Sequence, residues 1–71
     1  MLIYKIEGED LSFRSLLIAK RQIGKMFTPE DRIKRLTGKH IIKYKNDKPV
    51  TSTPIIVTSE GYYSFSKTIK L

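Results

Sequence analysis

The chain has no cysteine and no tryptophan, one histidine, three prolines and four glycines among its 71 residues, and only seven acidic side chains against fourteen lysines and arginines. Without cysteine there is neither a disulfide nor a thiolate zinc site, and a reducing interior is the natural compartment. The lone histidine, His40, leaves no cluster for a metal. No apolar run approaches the roughly 20 residues that span a bilayer, and charge interrupts Met1-Leu2-Ile3-Tyr4-Lys5-Ile6 too early for a signal peptide. A cytoplasmic protein with no membrane segment, metal or cofactor is expected. Its length makes one domain, 1–71, with a core limited to a single layer contact.

Hydrolytic or transfer chemistry needs a nucleophile with a base, paired carboxylates or a metal. Ser59, Ser64 and Ser66 have no base assignable beside them, and Glu30 and Asp31, being adjacent, would point different ways on a helix. There is no glycine-rich phosphate loop. The chain therefore reads as a binding protein and not an enzyme.

What it does have is positive charge, unevenly placed. Residues 1–10 carry a balance of minus two, residues 11–48 plus eight and the remainder plus one. A field of that kind attracts a polyanion, most often nucleic acid. The plainer reading is that lysines keep a small domain in solution.

The centre of the chain carries helix signals. Thr28 precedes Pro29, Glu30 and Asp31, which is a capping threonine, a proline where its missing N–H costs nothing, and two acids at the positive end of the dipole. A helix over about 29–36 follows, with Ile33 and Leu36 inward. Thr37-Gly38 breaks it, and a second helix is expected over 38–47, with Ile41, Ile42 and Tyr44 packing and Lys39, His40, Lys43 and Asn46 outward. Before these, Leu11 to Lys25 has helical periodicity through Phe13, Leu16, Leu17, Ala19 or Lys20, Ile23 and Phe27, capped by Asp10 or Ser12, with Met26 and Phe27 in the core. Residues 2–6 suit a short strand. Ile55–Val57 and Tyr62–Phe65, joined through Thr58-Ser59-Glu60-Gly61, suit a hairpin with Tyr63 and Phe65 on one face. Between them Pro49 ends the third helix and Thr51–Pro54 is a polar connector.

Three helices followed by a hairpin make an α+β winged helix-turn-helix. Lys39-His40-Ile41-Ile42-Lys43-Tyr44-Lys45, followed by Thr53-Pro54-Ile55-Ile56-Val57-Thr58-Ser59-Glu60-Gly61-Tyr62-Tyr63, resembles the recognition helix and wing of small phage modules found in replisome organisers and regulators. Glu60 departs from that pattern, since a basic residue is expected at the wing tip. The resemblance implies double-stranded DNA as partner, with Lys39, His40, Lys43 and Asn46 in the major groove and the 58–61 loop over the backbone. It also implies a role in phage or mobile-element transcription or replication. Arg14, Lys20, Arg21, Lys25 and Lys45 would touch phosphate. One such module binds weakly, so a homodimer or repeated binding is expected.

Two alternatives stay open. One is a non-enzymatic inhibitor that binds an acidic host protein. The other is a small β-barrel for RNA or single strands in which 37–45 is extended, as Ile41, Ile42 and Tyr44 allow.

Overall fold

In the computed structural model, which describes all 71 residues, the chain runs β1 (Leu2–Ile6), β2 (Ser12–Phe13), α1 (Leu16–Met26), α2 (Pro29–Asp31) continuing as a π-helical segment (Arg32–Leu36), β3 (His40–Lys45), β4 (Lys48–Val57), β5 (Tyr63–Phe65) and β6 (Ile69–Lys70). This is not a winged helix. The strands form one antiparallel sheet in the order β2-β1-β3-β4-β5, with β6 also on β4.

The expected recognition helix, 38–47, is β3 and the turn after it, and the expected connector, Thr51–Pro54, lies inside β4. β-Branched and aromatic side chains lose rotamer freedom in a helix and gain neighbours across a sheet. Here Ile41 stands opposite Ile6 and Thr53, and Ile42 opposite Lys5 and Ser52. The reversal is made by Asn46 and Asp47, both left-handed at φ 51° and 66°. Asparagine and aspartate tolerate that region better than other side chains, and two such residues in a row give a turn whose twist matches the strands it joins. Gly38, at φ 76°, ends the π segment and caps no further helix. The extended reading of 37–45 is thus the one adopted over His40–Lys45, in an open sheet whose end strands β2 and β5 do not pair.

β4 is hydrogen-bonded along both edges. β3 takes one edge, while β6 covers Thr51 and Ser52 on the other and β5 covers Ile55–Val57. Both prolines of β4 fall where no ladder bond is lost. Pro54 accepts from the Ser66 amide at the gap between β6 and β5, so its missing N–H faces that same gap. Pro49 adjoins a bulge that leaves Val50 as the extra residue, because Lys43 faces Thr51 while Tyr44 faces Pro49.

Alternation along the strands puts Ile6, Ile41, Thr53 and Ile55 on one face, where they meet Ala19, Ile23, Phe27 and Leu36 from the helices and Phe13 from β2. α1 starts five residues later than its periodicity suggests. Ser12 and Phe13 pair with Lys5 and Tyr4, so their backbone is extended, and Ser15 is the cap, its Oγ accepting from the Ile18 amide. Leu17 and Met26, expected inward, are 60% and 48% exposed.

The second helical segment has the expected start, with Thr28 Oγ1 accepting from the Asp31 amide. It then widens. In a π turn the bond spans five residues, so Leu36 shares its face with Arg32 and not with Ile33. Leu36 is fully buried, Arg32 half-buried, and Ile33 39% exposed. Arg32 bridges elements, donating to the Phe27 carbonyl at 3.2 Å and the Gly61 carbonyl at 2.7 Å and lying over the Tyr63 ring. Gly61 is required there. Its φ is 88°, and a methyl group on it would stand 2.5 Å from the Pro29 Cβ.

Two stability measurements check this packing. Asp47→Gly is expected to raise the urea midpoint by the equivalent of a few tenths to about 1 kcal/mol, whereas in a helix it would cost about that much. Leu36→Ala is expected to cost about 2–5 kcal/mol and Leu17→Ala less than about 0.5 kcal/mol.

Candidate nucleic-acid interface

The face that buries Ile6 and Ile41 continues past the helices, and its character changes along each strand. On β1 it runs Ile6, Tyr4, Leu2, and on β3 it runs Ile41, Lys43, Lys45. One straight register row crosses the sheet as Phe13, Tyr4, Lys43, Thr51 and Lys70, and the next row brings Leu2, Lys45 and Lys48 together. Strands lie about 4.8 Å apart and alternate residues about 7 Å apart. Lys43 and Lys70 are therefore about 10 Å apart at the backbone, with a hydroxyl between them, and Lys45 sits one step along.

Leu2, Val50 and Thr51 with Lys43, Lys45 and Lys70 line a shallow depression of about 550 Å³ that contains no acidic side chain. A second depression, of about 410 Å³, is lined by Met1, Ile3, Lys5, Tyr44, Asn46 and Asp47, with one lysine and one aspartate among its side chains. Lys45 stands directly opposite Lys48, a like-charge pair across strands that costs stability. Lys43 lies over the Tyr4 ring at 5.7 Å, which holds its stem against the sheet. The chain's one ion pair is Arg35 with Glu9, and Arg35 also stacks on Phe27, so together with the Arg32 bridge two arginines are committed to the fold.

The residues singled out from sequence are dispersed. Lys43 and Lys45 come together on the open sheet face. His40 points to the opposite face, its Nδ1 2.6 Å from the Oγ of Ser52, itself buried. Lys39 is half-buried with its Nζ beside Gly8. Asn46 is in the turn, accepting from the amino terminus at 3.1 Å. Lys20, Arg21 and Lys25 are exposed on α1, and Arg14 follows β2 beside Leu2. No helix carries Lys39, Lys43 and Asn46 on one side, so the expected major-groove contact is withdrawn. Comparison with protein-family models, curated proteins and solved structures finds no match.

Lys48, Thr51 and Lys70 were missed. A strand reading of 40–45 would have put Lys43 and Lys45 on one face by alternation, and Asn46-Asp47 between two β-prone runs is the signal that would have paired Lys45 with Lys48. Nothing local announces Lys70, which reaches the row only because β6 docks on β4.

No three His, Cys, Asp or Glu side chains converge anywhere in the fold. No helix is long and apolar enough to cross a membrane.

Cations used by the fold and cations left free give different mutational outcomes. Arg32→Met is expected to cost about 1–3 kcal/mol in denaturant titration, since it leaves two carbonyls without their charged donor, while leaving any affinity for a polyanion within about twofold.

Proposed function

We propose that this chain binds nucleic acid by its phosphate backbone, on the open end of the sheet face where Lys43, Lys45, Lys48 and Lys70 gather, and not by inserting a helix. The observation that carries the reading is the registered row Lys43-Thr51-Lys70 with the Lys45-Lys48 pair beside it. Four lysines from three strands have their backbones held on one surface by strand pairing, so their side chains share that surface before anything binds. Such an arrangement is unfavourable for the isolated fold, because like charges face each other with no acidic side chain among them. A polyanion removes that repulsion and gains by releasing its own condensed counterions. Thr51 adds a hydroxyl donor between two of the cations.

Contacts of this class position a nucleic acid without reading its bases. The expected behaviour is weak, sequence-tolerant binding. The exposed Lys20, Arg21 and Lys25 on α1, and Arg14 after β2, add a general positive field.

Titration of a fluorescent oligonucleotide at several salt concentrations tests this. Affinity is expected to fall steeply with salt, and Lys43→Ala with Lys70→Ala to reduce the slope of log K against log salt by about 2. Replacing Lys20, Arg21 and Lys25 together is expected to change the slope by less than that pair does. The opposite ranking would move the interface to the helix, and an absence of binding at low salt would favour an acidic protein as the partner.

A further inference from the structure

We infer that the strand held on this surface is single-stranded, with its bases seated on the apolar floor between the lysines; this rests on the phosphate reading above and adds the class of nucleic acid. The floor is what points there. Leu2 on β1 and Val50 on β4 line the same depression as Lys43 and Lys45, whose methylene stems add apolar surface to it, and the Lys43 ammonium lies beside it over the Tyr4 ring. Leu2 is 43% exposed, and Val50 is brought into the depression by the bulge that makes it the extra residue of β4.

A duplex turns sugar and phosphate outward and keeps its base faces stacked within, so the lysines would meet it but the apolar floor would gain nothing. A single strand turns its bases out, and every base has an apolar face to lay on such a floor while its phosphates reach the lysines. Lys43 and Lys70 are about 10 Å apart across the strands and the Lys45–Lys48 pair lies about 7 Å along them, a frame on the scale of successive nucleotides. Both halves of the strand's chemistry are then matched by one patch of sheet.

Binding of a 20-nucleotide oligo-dT and oligo-U is compared with that of a 20-base-pair duplex, using the full chain in low salt. The single strands are expected to bind at least about tenfold tighter than the duplex. Tight binding of either sugar supports the inference, and the tighter of the two names the source. Leu2→Ser with Val50→Ser is expected to lose about tenfold on the single strands with duplex binding and the salt slope unchanged. Because the chain has no tryptophan, Leu2→Trp supplies a single tryptophan that can be excited apart from the four tyrosines. Its emission is expected to be quenched by oligo-dT and not by the duplex, which keeps the test open should the double variant unfold. Duplex binding as tight as that of the single strands, or equal quenching by both, overturns the inference and leaves the phosphate reading in place. Failure of every nucleic acid to bind at low salt overturns both.

Discussion

The pairing of β3 with β4 is the constraint on which the rest of this molecule depends. It places Ile41 between Ile6 and Thr53 at the centre of the core face, and it places Lys43 between Tyr4 and Thr51 one step further along. Since alternate residues of a strand share a face, a shift of one residue would turn Ile41 to solvent and the lysines with it. The Asn46-Asp47 turn sets that register at one end. At the other end the ladder runs on through the bond from the Ile55 amide to the Lys39 carbonyl. Thr51, Thr53 and Ile55 look toward the helices' side by simple alternation, and the bulge at Val50 is what brings Lys48, three residues before Thr51, opposite Lys45.

One sheet face consequently does two jobs. Where α1 and the segment after it lie on the sheet, the face is isoleucine and the helices bury it. Where they stop, it is lysine with threonine and leucine, left open. The boundary falls at Tyr4, packed on the core and lying under Lys43. This division follows from size. A chain of 71 residues buries only 11 of them, and two short helical segments cannot cover a sheet whose longest strand has ten residues. The uncovered end is filled by residues that tolerate water, and it is there that cations collect without acidic side chains. The two buried polar side chains each have a more exposed partner, Thr53 with Thr68 and, on the opposite face, Ser52 with His40.

The first helix, the capped start of the second, the amino-terminal strand and the last hairpin were all legible in the sequence, because each is announced by local chemistry. Ser15 and Thr28 hold the first amides of their helices. Gly61 takes the positive φ its loop needs. The central segment misled because Ile41, Ile42 and Tyr44 satisfy a helical spacing and a strand propensity equally well, and the basic residues around them fit either. Ile33 misled for a different reason, since a widened turn changes which residues share a face.

The sequence by itself determined the excess of positive charge, where along the chain it lies, and the local turns and caps, all of which are properties of neighbouring residues. Only the tertiary structure decided which cations stand together. Lys43 and Lys70 are far apart in the chain, and they meet because β3 and β6 dock on opposite edges of β4. That docking is driven by burying Ile6, Ile41 and Ile55 and by pairing backbone groups across the sheet, non-local terms that no short window of residues contains.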